Sequence, residues 1–507
     1  MGQTMELAAE VCYRALSTRD ARFDGRFFTG VRSTGIFCRP ICPARLPKFE
    51  NCEFFNNAAQ AQQAGYRPCL RCHPELSPRL FQQVGTEVTV ARALRLIAQG
   101  ALDQGSVADL AARLGVSDRR LRQLFATHVG TSPGQAALSR RILFAKQLIH
   151  QTDLSLTEIA IAAGFNSLRR FNDAIRKACG HPPSDWRRPG RPHQDGALRL
   201  RLAYSPPYDW AAMMAYWQPR LMAGVETIQG MTYRRVIQVG GQTGWVQVQP
   251  ATSGHALQAE IHLDAVEHLS GVVERLRRMF DLETDSAAIA AHLQADETLQ
   301  PLVERRPGLR LPGCWDPFEL TVRVILGQQV SVAAATTLCN RLIERYGTPV
   351  THSSPQLDRC FPGPQQLMAA DLTTIGITRT RVTAIRALAT AMVETPNFLS
   401  QLQSVDQVLT TLCQLPGVGP WTAQYVALRG LQLPDAFPSG DLGLLRAMAA
   451  LETPLTQTEL VQRAEAWRPW RAYAALYLWT ADVTTPQRER AVTAPTPLAP
   501  HSEAQTA

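Results

Sequence analysis

Two groups of residues in the 507-residue chain have the types and spacing that chemistry needs. The first is Cys38-x3-Cys42 followed, after 26 residues, by Cys69-x2-Cys72. Short loops between paired cysteines bring both sulfurs onto one tetrahedral ion, so this spacing predicts one Zn²⁺ held by four cysteines. Such a site most often serves only to fold a small domain, although zinc also keeps a thiol deprotonated at neutral pH and so as a nucleophilic thiolate. The second group runs from Leu415 to Arg446, where LPGVGPWTAQ is followed by PSGD and an apolar run. Leu-Pro-Gly-Val-Gly reads as a tight hairpin feeding a helix, with Gly417 and Gly419 at the turn and close-approach positions. Backbone N–H groups left open at such a helix start can hold a phosphate oxygen without reading sequence. Asp441 falls at or near a helix N-cap, where its plain role is capping.

The elements that must position these groups need several domains. A chain of this length exceeds one core, and usual domain sizes suggest three or four units. The formal charge of +9 and pI near 9.1 favour a polyanionic partner. No stretch has the length of apolar residues that a membrane span takes, and the N-terminus has no basic region followed by a long apolar run, so a cytoplasmic place and no membrane partner are expected. Eleven cysteines without small-scaffold spacing argue against a disulfide framework. Cys12 and Cys52 read as buried thiols, and His73 is left out of the ligand set because neighbouring residues rarely point at one ion.

Between the two groups, VADLAARLGVSDRRLRQLFATHVG has helical apolar spacing, Gly115 at a turn and Ser117 as the next N-cap. LTEIAIAAGFNSLRRFNDAIRKACG repeats the plan with Gly164, then Asn166 or Ser167. WRRPGRPHQDGA reads as a linker separating two halves of the chain. From Leu198 the text alternates as antiparallel strands and then turns helical, and residues 301–480 read as successive amphipathic helices.

Against known families, RFDGRFFTGVRSTGIFCRPICPAR with AGYRPCLRC closely resembles the zinc domain of the Ada adaptive-response protein. The resemblance implies that Cys38 accepts methyl from DNA phosphotriesters and that Thr34, Arg45, Arg67 and Arg71 contact phosphate. Methylation removes one negative charge from a thiolate-rich centre facing phosphates, so DNA affinity should rise afterwards. The repeated unit resembles the AraC-type DNA-binding domain. Its second helices, around Asp118 to Phe125 and Leu168 to Lys177, are expected in the major groove, with Arg119, Arg120, Arg122, Arg169 and Arg170 on DNA.

Leu415–Asp441, RPGLRLPGCWDPFELTVRVILGQQVSVAAA, WRPWRAYAALYLW and SPPYDW resemble the AlkA-type 3-methyladenine DNA glycosylases of the helix-hairpin-helix superfamily. That implies a pocket for alkylated bases shaped by Trp421, Trp479, Tyr425 and Tyr216, with Asp441 stabilising the sugar cation and orienting a water. Trp421 stands where bifunctional members carry a Schiff-base lysine, so a monofunctional enzyme is expected. Gln329 occupies the position of the leucine that wedges into the gap left by a flipped base. Cys339, Cys360 and Cys413 do not form the cysteine run of iron–sulfur members, and the Pro-Cys-His-Arg site of the other Ada transferase domain is absent from the sequence.

The expected whole is multidomain and mainly α: a small α+β domain with zinc on four cysteines (1–82), an AraC-type double helix-turn-helix domain (86–188), a linker (189–197), a small α+β domain (198–300), an all-α helix-hairpin-helix glycosylase domain (301–490) and a disordered tail (491–507). Expected partners are duplex DNA with alkylation damage, promoter DNA and RNA polymerase, with the chain a monomer associated with the nucleoid. The rival reading is a transcription regulator whose glycosylase-like half binds DNA without catalysis.

Overall fold

The computed structural model describes residues 7–78, 88–186, 197–350, 356–402 and 404–481. The expected linker, apart from Ala197, and the tail lie outside these residues. The N-terminal unit comprises helix α1 (Ala9–Thr18), strands β1 (Phe28–Val31), β2 (Ile36–Cys38) and β3 (Cys52–Phe55), helix α2 (Ala58–Gln63) and strand β4 (Arg67–Pro68), with sheet order β3-β1-β2-β4. β2 and β4 are parallel neighbours, pairing Phe37 with Pro68. Side by side in one direction, they deliver Cys38 and Cys69 to the same end of the sheet.

Six helices follow: α3 (Val88–Ala98), α4 (Val107–Arg113), α5 (Asp118–His128), α6 (Pro133–Gln151), α7 (Leu156–Ala162) and α8 (Leu168–Cys179). Ser106 and Ser155 form capping boxes with Asp109 and Glu158, which fixes the starts of α4 and α7. Gly115 and Gly164, at φ +70° and +82°, make the two turns. Ser117 and Ser167 then cap α5 and α8, so the second cap is Ser167 and not Asn166. Both recognition helices run a few residues past their expected ends.

The next unit is a five-stranded antiparallel sheet of β5 (Leu198–Ala203), β6 (Glu226–Gln229), β7 (Thr232–Val239), β8 (Gln242–Pro250) and β9 (Ala256–His262), ordered β5-β9-β8-β7-β6. Helix α9 (Trp210–Trp217) lies between β5 and β6 in sequence, and α10 (Leu269–Met279) follows β9. The units on either side of the expected linker are in contact. Phe144, Leu148, Phe171 and Trp186 share one core with Leu200, Val246 and Phe280. Gln147 donates to the Arg201 carbonyl at 2.9 Å, and the Arg201 N–H donates to Gln151 at 2.9 Å. The second helix-turn-helix unit buries its apolar back on the sheet domain, because neither face can be left in water.

The C-terminal unit contains α11 (Ser286–Leu293), α12 (Gln300–Arg305), α13 (Pro317–Leu326), α14 (Val332–Tyr346), α15 (Pro364–Ala369), α16 (Arg379–Glu394), α17 (Val405–Leu412), α18 (Pro420–Tyr425), α19 (Leu442–Leu451), α20 (Gln457–Arg463) and α21 (Arg471–Ala481). It departs from the all-α expectation by one two-residue pairing, Thr348–Pro349 with Arg359–Cys360. The helices pack around a single core that includes Leu342, Leu388, Leu444 and Trp467. No helix among the described residues is long and apolar enough to cross a membrane.

Candidate active sites

In the N-terminal unit the sulfurs of Cys38, Cys42, Cys69 and Cys72 lie within 4.8 Å of one another, and all four residues are buried. That donor set and spacing suit one tetrahedral zinc. Backbone N–H groups stabilise two of the sulfurs: Arg71 donates to Cys69 at 3.3 Å and Arg39 to Cys72 at 3.3 Å. No described backbone N–H donates to Cys38. Hydrogen bonds lower the nucleophilicity of a thiolate by stabilising its charge, so the sulfurs of Cys69 and Cys72 are the more quenched of the four. Cys38 opens onto a cleft of about 670 Å³ that Thr34, Arg45, Arg67 and Arg71 also line. The far wall comes from the end of α8, through Cys179 and His181. There Gly180 adopts φ +81°, which favours glycine, and the Arg67 guanidinium lies against it, 2.7 Å from where a β-carbon would be.

His73 is not with the sulfurs; its Nδ1 is 2.8 Å from Glu75. The other Glu75 oxygen accepts from Lys146 of α6 at 2.6 Å, and the same ammonium donates to the Cys69 carbonyl at 3.1 Å. Lys146 is 0% exposed, so a buried ion pair fastens the helix-turn-helix unit directly behind a metal ligand. Burial raises the Glu75 carboxyl, but the hydrogen bond with His73 and the charge of Lys146 outweigh it and hold the group below its ordinary value. Its stabilising contribution is therefore present above the unfolded carboxylate pKa and is lost as pH falls through the lowered folded value. Lys146→Ala leaves Glu75 buried without its cation and is expected to cost about 3–5 kcal/mol, whereas joint replacement by Met and Gln should cost far less. Urea unfolding of the single and double variants measures the difference.

In the C-terminal unit, Asp441 caps α19, and its Oδ1 accepts from the N–H groups of Gly443 at 2.9 Å and Leu444 at 3.3 Å. Trp479 Nε1 donates to the same oxygen at 3.0 Å, and Trp421 Nε1 donates to Oδ2 at 3.0 Å. Four N–H donors thus fix one carboxylate. Gly443 makes this possible: a β-carbon there would sit 2.9 Å from Asp441 Oδ1 and 3.2 Å from the Trp479 ring. Trp421 stacks on Tyr425 with centroids 5.3 Å apart, Tyr425 lies 6.2 Å from Trp479, and its hydroxyl meets that of Tyr216 at 3.1 Å. The four predicted aromatics therefore form one wall beside the carboxylate.

Arginines complete the wall, and sequence reasoning missed them. Helix α18 runs into a π-helical turn, Val426–Gly430, whose extra residue presents Arg429 to the aromatic cluster. This guanidinium is 2% exposed and lies 4.4 Å from the Tyr216 ring centroid and 5.2 Å from that of Trp479. Arg220 approaches Tyr216 at 4.2 Å. Two guanidiniums over Tyr216 make it a support for the wall rather than an open stacking surface. Burial raises the Tyr216 phenol, yet Arg429 and Arg220 outweigh it and hold it below its ordinary value; burial pushes Tyr425 up to about 12. A lone arginine inside the apolar run VALRGLQL is the signal that marks Arg429.

At the hairpin, Gly417 has φ +79°, and a β-carbon there would press on Ala384 at 3.1 Å. Gly419, at φ −99°, has open space around it, so nothing in the protein demands a glycine; its free face is available to a ligand backbone. Gln329 lies exposed in the loop after α13 at φ +55°. Leu442, next to Asp441, is 70% exposed. Arg119, Arg120, Arg169 and Arg170 are all exposed near the starts of α5 and α8.

Four family models match the chain: the metal binding domain of Ada (11–75), a helix-turn-helix domain (110–189), the AlkA N-terminal domain (199–316) and the HhH-GPD superfamily of base excision DNA repair proteins (322–472). The "Probable bifunctional transcriptional activator/DNA repair enzyme AlkA" of Mycobacterium tuberculosis is 38% identical over 477 residues, covering 93% of this chain and 96% of that protein. DNA-3-methyladenine glycosylase 2 of Escherichia coli is 36% identical over 281 residues, 55% of this chain and 95% of the relative. Among solved structures, a 3-methyladenine DNA-glycosylase from Archaeoglobus fulgidus superposes with a TM-score of 0.50 at 21% identity, over 56% of this chain and 98% of that one, which shows a shared fold.

Proposed function

Because the chain belongs to the family of bifunctional AlkA transcriptional activator/DNA repair enzymes, we propose that it excises alkylated purines of the 3-methyladenine type from DNA and also records phosphotriester methylation on Cys38 as a signal for transcription. The observation that carries the first part is the Asp441 carboxylate, held by two indoles and two amides beside an aromatic wall. An alkylated purine is cationic with a weakened glycosidic bond, so modest stabilisation of the departing sugar suffices. Asp441 supplies that negative charge and orients or deprotonates the attacking water, and with Trp421 in place of an amine the reaction is hydrolysis without strand cleavage. Trp421 and Tyr425 offer ring faces to the base. Gly417 and Gly419 hold the DNA backbone through main-chain groups, and Gln329 fills the gap in the stack. The two indole donors, beyond the two amides that capping accounts for, disfavour the rival reading of a non-catalytic DNA-binding half.

For the sensor, the four cysteines hold one zinc ion, which keeps their sulfurs as thiolates. Cys38 attacks the methyl carbon of a phosphotriester; the sulfur–carbon bond forms, the carbon–oxygen bond breaks, and the phosphodiester leaves with its negative charge restored. Thr34, Arg45, Arg67 and Arg71 orient that phosphate. The thioether does not turn over, so transfer is stoichiometric. Arg119, Arg120, Arg169 and Arg170 read promoter DNA, where the methylated chain engages RNA polymerase as a monomer in the cytoplasm. The direct test of the enzyme half is chromatography of bases released from dimethyl-sulfate-treated duplex DNA: free 3-methyladenine is expected, and its absence would contradict the proposal.

A further inference from the structure

Gln328 stands beside Gln329 in the loop between α13 and α14, but it turns inward where Gln329 turns out. Its Nε2 donates to the Gly417 carbonyl at 2.9 Å and to Thr422 Oγ1 at 3.1 Å. Its own carbonyl accepts from the Arg381 guanidinium of α16. Gly417 belongs to the hairpin, and buried Thr422 follows Trp421 on α18. One side chain thus joins the protruding loop to the backbone-gripping hairpin and to the helix that carries the indole on Asp441. The loop needs such an anchor, since Gln329 adopts a left-handed φ of +55° that a residue with a side chain keeps only when its surroundings impose it.

We propose that Gln328 is a positioning residue for base extrusion, setting the wedge loop at a fixed distance from the hairpin and the base pocket. The inference rests on the glycosylase reading above. A carbonyl oxygen can only accept, so the group facing Gly417 must be a donor. Gln328→Glu keeps the shape but sets oxygen against oxygen, whereas Gln328→Ala removes the side-chain tie and leaves only the Arg381 bond to the backbone carbonyl. Both variants are expected to hold undamaged duplex within about twofold of the parent, because phosphate contacts through the hairpin amides persist. Both should lower single-turnover release of 3-methyladenine from dimethyl-sulfate-treated duplex at least about tenfold, as displacement of a positioning element does. The same variants should lose the fluorescence rise of 2-aminopurine placed beside an abasic-site analogue, a readout of unstacking that a merely structural residue would not move. If the parent releases base and both variants match it in rate and fluorescence, the role of Gln328 is overturned. If Gln328→Glu alone matches, the residue only fills space and the donor role is overturned. A parent chain that releases no base overturns the glycosylase reading itself.

Discussion

Asp441→Asn is expected to slow the release of alkylated purines by about 10²- to 10³-fold or more while leaving affinity for undamaged duplex unchanged. The substitution keeps the shape of the side chain but removes its charge. It also sets an amide nitrogen where only donors now point, because Oδ1 faces two backbone N–H groups and Trp479 while Oδ2 faces Trp421. The best arrangement keeps the oxygen on the three donors of α19 and Trp479 and turns the nitrogen towards the Trp421 N–H, losing that bond. Both the stabilising charge and the orientation of the pocket indole go together. Single-turnover base release and fluorescence anisotropy with unmodified duplex separate chemistry from binding; excision within a factor of about ten of the parent would remove Asp441 from the mechanism.

The second large effect is at Cys38. Cys38→Ser should accept no methyl from phosphotriester-containing DNA, while in the parent chain transfer should tighten promoter binding by about ten- to a hundredfold, the range expected when about 1–3 kcal/mol of repulsion is relieved. The sign follows from the cleft: the sulfurs of Cys38, Cys42 and Cys69 and the cations Arg45, Arg67 and Arg71 share it, so the thiolates offset charge that would otherwise attract phosphate. Neutralising one sulfur enlarges the excess of positive charge that the arginines give the cleft. The gain should shrink as salt rises, because screening weakens the repulsion that methylation removes. Mobility-shift titrations before and after methylation, at two salt concentrations, measure it. Equal affinities in the two states would leave the zinc domain without a signalling role.

What was legible in the sequence was local. Cysteine pairs, the Ser117 cap and the Pro-Gly hairpin specify their structure within a few positions of chain. What was not legible depends on distance along the chain. Lys146 meets Glu75 across 71 residues, and Arg429 meets Tyr216 only because a π-helical turn and the far end of α9 converge. Gly443 reads as an ordinary helix residue until Trp479 arrives from α21 to press on it. The union of the second helix-turn-helix unit with the sheet domain was hidden for the same reason: apolar periodicity says that a face is buried, not against what.

That union also bears on how the two halves work. The sensor cleft is bounded by the end of α8, whose start carries Arg169 and Arg170, and the same unit shares its core with the sheet domain of the glycosylase. A 12-residue helix spans about 18 Å, so one rigid element joins the cleft beside Cys38 to the end that carries Arg169 and Arg170.

The central claim, two repair chemistries in one chain, is tested most directly by incubating the intact protein with methylated duplex DNA, then reading the protein by peptide mass spectrometry and the supernatant for free bases. The account predicts one added methyl on the Cys38 peptide alone together with released 3-methyladenine. Released base with unmodified Cys38, or methyl on Cys42 or Cys69 instead, would contradict the sensor; a methylated Cys38 with no free base would contradict the glycosylase.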